Sequence, residues 1–75
     1  MNRIHPDILK QIKDYYTPGS RVVLIQMDDP YSKLLPGDKG TVTTVDDIGT
    51  IHVKWDRGSS LGVVFDEDFC RKIDD

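Results

Sequence analysis

The spacing of hydrophobic residues changes at Gly19, which divides the chain into a helical segment and a β-rich segment. Before it, apolar residues recur every three to four positions and form one stripe of a helix. They are Ile8, Leu9, Ile12, Tyr15 and Tyr16. Pro6 suits the first helical position, and Asp7 places negative charge at the positive end of the helix dipole. Thr17-Pro18-Gly19 ends the pattern, so the sequence predicts a helix within residues 1–16.

Five short β-rich segments follow. They are residues 20–27, 40–46, 50–56, 61–65 and 69–73. Val42 and Val45 break strict alternation within the second segment, which predicts a β-bulge or a sharp bend between them. Asp46-Asp47-Ile48-Gly49 predicts a tight hairpin in which Gly49 has a positive φ. This spacing predicts a mainly β fold: one domain over residues 1–75, with a small SH3-like five-stranded barrel over residues 20–73 and one N-terminal helix.

The first predicted strand is apolar on both faces. Val22 and Leu24 fill one face, while Val23, Ile25 and Met27 fill the other, so both faces need a cover. We expect the helix to supply it, packing over the outer face of this strand or over an open end of the barrel. The residues expected to pack there are Ile8, Leu9, Ile12 and Tyr16. The alternative cover is a second copy of the chain or a partner protein.

Size and charge narrow the classes of function. A chain of 75 residues that is 37% hydrophobic and 31% charged is near the lower limit for folding without metals or disulfides. Such a core supplies only about 3–5 kcal/mol of net stability, which disfavours strained catalytic geometry. The net charge of −3 and the scattered basic residues disfavour binding mainly through nucleic-acid phosphates. A locally basic face can still occur on an acidic protein.

Cysteine content and hydropathy bear on location and cofactors. Cys70 is the single cysteine, and no Cys/His cluster has the spacing of zinc ligands. The N-terminus lacks the apolar region of a secretory signal, and the longest apolar run, residues 22–25, is too short to span a membrane. We therefore expect a cytoplasmic protein with no membrane contact, no metal and no cofactor.

Several motifs together resemble a known family. They are Pro18-Gly19-Ser20-Arg21-Val22, Met27-Asp28-Asp29-Pro30-Tyr31, Pro36-Gly37-Asp38-Lys39-Gly40-Thr41-Val42, Val45-Asp46-Asp47-Ile48-Gly49 and Val53-Lys54-Trp55-Asp56-Arg57-Gly58-Ser59-Ser60-Leu61. In combination they resemble a family of small bacterial and phage proteins described as a domain of unknown function, over about residues 7–73. The resemblance implies an SH3-like barrel, often encoded near mobile-element genes, with no established site residues.

A second resemblance is confined to one hairpin. Gly40-Thr41-Val42 and residues 53–59 are similar to the peptide-binding substrate-recognition module of mind-bomb-type ubiquitin ligases. Because the match does not extend beyond the hairpin, we interpret it as shared architecture.

The loop over residues 28–37 is the longest predicted connection and a candidate recognition element. Tyr31 is its best candidate, because a loop tyrosine among polar residues is expected to be partly exposed. Asp28 and Asp29 are further candidates, and the alternative for them is to cap the turn while Pro30 fixes the backbone.

Trp55 and Arg57 are the candidate binding residues next to and within the predicted 56–60 turn. Trp55 is the only tryptophan, and its alternation with Ile51 and Val53 favours a core position. Its alternative is a partly exposed edge that anchors a peptide. Arg57 lies in the turn itself.

Metal binding and catalysis find little support in the sequence. Asp46, Asp47 and Asp56 lack the ligand spacing of a calcium loop, and Asp-x-x-Gly is ordinary turn chemistry. His5 is expected to cap the helix and Cys70 to be buried, so no nucleophile with an orienting partner is predicted. We therefore expect no enzyme.

These observations favour a non-catalytic binding module, a monomer or weak homodimer, that recognises a protein or peptide through the 28–37 loop and the 56–60 turn. The alternative is a nucleic-acid-associated accessory protein of a mobile element or phage. That alternative requires several basic residues to converge on one face. They are Arg21, Lys33, Lys39, Lys54 and Arg57. An apolar groove rimmed by acids would favour the first interpretation, and one basic face would favour the second.

Overall fold

The computed structural model describes residues 4–28, 33–65 and 67–74, which form one helix and five strands. Helix α1 spans Pro6–Tyr15, and the strands are β1 Arg21–Gln26, β2 Lys39–Val45, β3 Ile51–Trp55, β4 Gly62–Val63 and β5 Phe69–Ile73. The predicted helix and the five predicted strands are confirmed, although β4 is shorter than expected. The fold is therefore mainly β with one N-terminal helix.

The five strands form one antiparallel sheet in the order β4-β3-β2-β1-β5. In the described part of the chain β4 and β5 do not pair with each other, so the sheet is open and the predicted closure into a barrel is not confirmed. The two-residue length of β4 is the physical reason, because it leaves no further ladder with which to close the sheet.

Two register shifts bend the sheet. One lies between Val42 and Thr44 on β2, which confirms the bulge that the valine spacing predicts. The other lies between Leu24 and Gln26 on β1. Each shift locally increases twist and bends the strand, so the sheet curls around its apolar face. The predicted β2–β3 hairpin is also observed, with Gly49 at φ 86°.

The core lies on the concave face of the sheet. Its buried hydrophobic residues are Val22, Leu24, Leu34, Val42, Ile51, Val53, Trp55 and Val63. Trp55 is the largest of them, and its indole N–H donates a 2.8 Å hydrogen bond to the carbonyl oxygen of Leu61. Gly40, opposite Trp55 on β2, makes room for the ring, since a Cβ there would lie 2.9 Å from it.

Helix α1 lies across the open end of the sheet, beside the β2–β3 hairpin. The His5 side chain accepts a hydrogen bond from the Asp7 N–H, which confirms the predicted cap. Ile12 and Tyr16 pack against the core, and Lys13 forms a 2.7 Å ion pair with the hairpin. Of the two predicted positions for the helix, the open end is therefore the observed one, and Ile25 on the outer face of β1 is exposed.

Candidate binding site

A groove of about 240 Å³ lies at the open end of the sheet, between α1 and the segment that joins β4 to β5. It is lined by Ile12, Tyr16, Gly49, Ile51, Val63, Phe65, Asp68, Phe69 and Cys70. Most of these side chains are apolar, so the groove can accept an apolar side chain from outside and remove it from water.

Two phenylalanines of the groove are strongly exposed. Phe65 is 40% exposed and lies in the segment between β4 and β5, and Phe69 is 48% exposed and is the first residue of β5. On the helical side, Ile8 is 41% exposed and lies one turn before Ile12 on the same stripe. A patch of large apolar side chains beside a groove is typical of an interaction surface.

Gly49 sets the depth of one end of the groove. A Cβ on Gly49 would lie 2.8 Å from Ile4 Cδ1 and 3.4 Å from the Cβ of Phe65, and its φ of +86° is strained for any other residue. The absence of a side chain at this hairpin position therefore allows Ile4 and Phe65 to approach the hairpin closely.

Asp68 lies at the floor of the groove and is only 7% exposed. One carboxylate oxygen accepts a 2.7 Å hydrogen bond from the Asp28 N–H, and the other accepts a 3.0 Å bond from the Val64 N–H. The carboxylate therefore joins the end of β1 to the end of β4 across the open side of the sheet. The sequence interpretation missed this residue, and its only signal was an aspartate in a predicted turn.

Tyr16 and Cys70 meet on the wall of the groove, where the phenol O–H donates to the Cys70 carbonyl oxygen at 3.5 Å. Burial raises the pKa of Tyr16 to about 12 and the pKa of the Cys70 thiol to about 11. Both groups are therefore protonated near neutral pH, and the thiol is a poor nucleophile there.

The predicted site residues are not gathered in one place. Asp29 and Tyr31 lie outside the described residues. Trp55 is 1% exposed, so the structure places it in the core and not at a peptide-binding edge. Asp28 is exposed, but its backbone N–H is engaged by Asp68.

Arg57 joins the predicted turn to the end of the predicted loop. Its guanidinium donates to both carboxylate oxygens of Asp38, each at 2.9 Å. The hydrogen bonds from Arg57 and from the Leu35 N–H lower the pKa of Asp38. The structure thus brings residues 33–38 next to the 56–60 turn, with Leu35 58% exposed beside them.

The outer face of the sheet carries basic residues in two cross-strand rows. Arg21, Thr41 and Lys54 are direct neighbours across β1, β2 and β3. Arg71, Val23 and Lys39 form the parallel row across β5, β1 and β2. Directly opposed residues share a face of a sheet, so these four basic side chains lie on one surface.

One acid neutralises part of this basic surface. Arg21 donates two hydrogen bonds to the carboxylate of Asp56, at 2.8 and 2.6 Å. The hydrogen bond from Arg21 lowers the pKa of Asp56. Three of the basic residues named for the nucleic-acid alternative therefore share this face, namely Arg21, Lys39 and Lys54, and Arg71 joins them.

Two negative findings apply to the described residues. Within residues 4–28, 33–65 and 67–74, no group of three or more His, Cys, Asp or Glu is placed to hold a metal ion. In the same part of the chain, no helix has the length and apolar character needed to cross a membrane.

His52 hydrogen-bonds Asp46 at 2.9 Å and is not among the residues that line the groove with Cys70.

Fold and site together define a small mainly β domain with an apolar groove at one end. The chain belongs to the DUF4314 family, a domain of unknown function, whose model matches residues 5–73. No curated protein and no solved structure matches the chain.

Proposed function

We propose that the chain is a non-catalytic domain that binds a protein partner by taking an apolar side chain of that partner into the groove between α1 and the β4–β5 segment. The observation that carries this proposal is the groove itself, apolar in lining and flanked by the exposed rings of Phe65 and Phe69. Aromatic side chains around a concave surface are typical anchors in protein recognition.

The protonation state of the groove supports a binding role over catalysis. Tyr16 and Cys70 are the lining groups with strongly raised pKa values, and neither ionises near neutral pH. Asp68 has both carboxylate oxygens engaged by backbone N–H groups, so it holds the fold together and has no oxygen left without a donor. A general base poised for proton transfer is therefore not part of this proposal.

The finer fold assignment belongs to the same proposal. We infer an open SH3-like barrel, supported by the antiparallel meander of β1 to β4, the return of β5 to pair with β1, the two bulges and the Asp68 bridge between β1 and β4. The 28–37 loop and the 56–60 turn stay a predicted contact surface, distinct from the groove and marked by the exposed side chain of Leu35.

A pair of matched double variants tests the groove. Peptides selected from a random display library on the wild-type domain provide the probe. Phe65→Ser with Phe69→Ser is expected to weaken their binding by about tenfold or more, because truncation of anchor side chains costs upwards of about 1.4 kcal/mol. Fluorescence anisotropy measures the affinity.

The control is Ile25→Ser with Leu35→Ser, which removes comparably exposed apolar side chains outside the groove. Binding within about twofold of wild type is expected for this control, since a surface residue outside the contact contributes little. The opposite pattern, loss in the control and none in the groove variant, would favour the 28–37 loop and contradict the groove.

A second candidate function rests on the basic outer face of the sheet. Arg21 and Lys54 lie two strands apart on this face, about 10 Å by the usual strand spacing, with Arg71 and Lys39 in the next row. We propose nucleic-acid backbone binding there as the alternative function. The Arg21–Asp56 pair reduces the net charge of this face. For this reason nucleic-acid binding is the second candidate function, after protein binding in the groove.

A charge-reversal variant tests the alternative. Lys54→Glu with Arg71→Glu is expected to abolish binding to a labelled short DNA duplex at low salt, and wild-type affinity is expected to fall steeply as salt rises. Lys10→Glu with Lys13→Glu makes the same change in net charge on α1 and should leave this binding in place. Equal affinity of both variants for the duplex would eliminate a specific basic face.

A further inference from the structure

The outer face of the sheet carries two cations that no acid of the described chain neutralises. Lys54 on β3 and Arg71 on β5 are both exposed, and within residues 4–28, 33–65 and 67–74 neither side chain forms an ion pair or a hydrogen bond. In the order β5-β1-β2-β3 they lie three strands apart, about 15 Å by the usual strand spacing. Two positive charges spread over such a distance match an extended polyanion better than a single small anion.

Two further cations and one acid lie on the same face. Arg21 and Lys39 belong to the two cross-strand rows that also contain the first two cations. Asp56 meets them: its carboxylate accepts two hydrogen bonds from Arg21, at 2.8 and 2.6 Å. These hydrogen bonds, and then the charges of Arg21 and Lys39, lower the pKa of Asp56. One carboxylate against four basic residues leaves an excess of positive charge on this face, although the net charge of the chain is −3.

A hydroxyl group accompanies the cation at the β3 end of this face. Lys54 lines a cavity of about 250 Å³ together with Thr43, His52, Val53 and Ser60. Ser60 is exposed, and its side chain makes no hydrogen bond within the part of the chain that the structure describes. Lysine and serine side chains are both among the groups that contact nucleic-acid phosphates. Because the two line one cavity, they can donate to the same phosphate.

The two rows offer nothing on which a base could stack. They consist of basic, hydroxyl and aliphatic residues, and neither row contains an aromatic ring. Proteins that bind single strands stack the bases on aromatic side chains, and each stack is worth about 1–3 kcal/mol. Without rings, binding depends on the phosphates, and a DNA duplex presents about one negative charge per 1.7 Å of its axis. A duplex therefore gives this face more contacts than a single strand does.

From these features we infer that the outer face of the sheet binds the phosphate backbone of double-stranded DNA in preference to single-stranded DNA. The inference rests on the second candidate function proposed above and adds the form of nucleic acid that the face selects. Lys54 and Arg71 contact phosphates at the two ends of the face, and Ser60 donates to the phosphate that Lys54 meets. A single strand gains no stacking there and presents fewer phosphates.

Fluorescence anisotropy with a short labelled DNA duplex, and with one of its own strands, tests the inference. In about 0.05 M salt the duplex is expected to bind about tenfold more tightly than the strand. Raising the salt to about 0.2 M should weaken duplex binding by about fortyfold, because about three neutralised phosphates give a log–log slope near −2.7.

A single charge-removing variant locates the contact. Lys54→Gln should weaken duplex binding and make the salt dependence shallower by about one unit of slope, as expected when one phosphate contact is lost. Lys10→Gln removes the same charge from an exposed lysine on α1 and should keep the wild-type slope.

The outcomes separate the inference from the function on which it rests. Equal or tighter binding of the single strand, weakened by Lys54→Gln, would overturn the duplex preference and leave nucleic-acid binding by this face standing. Binding of neither form, or duplex binding with the wild-type slope in Lys54→Gln, would overturn the inference together with the second candidate function.

Discussion

Replacing Trp55 with alanine is expected to leave the chain unfolded at room temperature. Removal of a fully buried tryptophan costs about 3–5 kcal/mol through lost burial and the cavity that is left. A domain of this size has only about 3–5 kcal/mol of stability in total. The Trp55 ring is 1% exposed, and Gly40 on the opposite strand makes room for it because it has no side chain. Gly40 therefore has no side chain that could fill the cavity left by the substitution. Far-ultraviolet circular dichroism on heating measures the outcome.

Two further variants separate the ring from its hydrogen bond. Trp55→Phe keeps an aromatic ring in the core but removes the donor to the Leu61 carbonyl oxygen. It should fold with stability reduced by about 1–3 kcal/mol, since a part-buried acceptor loses its partner. Phe69→Ala removes an aromatic side chain that is half exposed and should cost less than Trp55→Ala. A cooperative Trp55→Ala transition within a few degrees of wild type would contradict the core assignment.

The sequence predicted those features of the fold that depend on residues close together in the chain. The three-residue spacing of Val42 and Val45 cannot fit a strand of period two, so it predicted the bulge. Gly49 follows Asp46-Asp47-Ile48, and this turn sequence predicted the hairpin in which Gly49 has a positive φ. Alternation with Ile51 and Val53 placed Trp55 in the core. Each of these depends on neighbours within a few residues, which a sequence displays directly.

The length of β4 was not accessible in this way. Leu61, Val63 and Phe65 alternate as a strand should, and the sequence predicted pairing through residue 65. In the structure Asp68 accepts the Val64 N–H, while the Val64 carbonyl oxygen accepts the N–H groups of Glu67 and Asp68. The backbone of Val64 is thus used by a turn and is lost to the ladder, which leaves β4 short and the sheet open.

The groove escaped prediction for a related reason. The sequence assigned Phe65 to a strand and Phe69 to the closing strand, and their exposure depends on where α1 lies. An amphipathic stripe predicts that a helix packs, but it does not say which end or face of a sheet the helix covers. The predicted loop and turn were brought together by Asp38 and Arg57, yet their side chains neutralise each other. Only the three-dimensional structure distinguishes the groove from the surface that the loop and the turn form.

Asp68→Ala is expected to lower the free energy of unfolding by about 2–4 kcal/mol, the second largest effect predicted here. The variant leaves the N–H groups of Asp28 and Val64 without their carboxylate, and each unsatisfied donor costs about 1–3 kcal/mol. Urea denaturation measures the change. Glu67→Ala, the neighbouring acid whose side chain is exposed, should be close to neutral and controls for the loss of one charge.

The conservative variant identifies the mechanism. Asp68→Asn keeps one acceptor oxygen, so it should preserve one of the two backbone hydrogen bonds and fall between wild type and Asp68→Ala. Amide hydrogen exchange reports the two bonds separately: both Asp28 and Val64 should exchange faster in Asp68→Ala, and one of them in Asp68→Asn. If both amides kept wild-type exchange in Asp68→Ala, the carboxylate would not join β1 to β4. Because that bridge forms the groove floor, its loss should also weaken peptide binding while Phe65 and Phe69 remain in place.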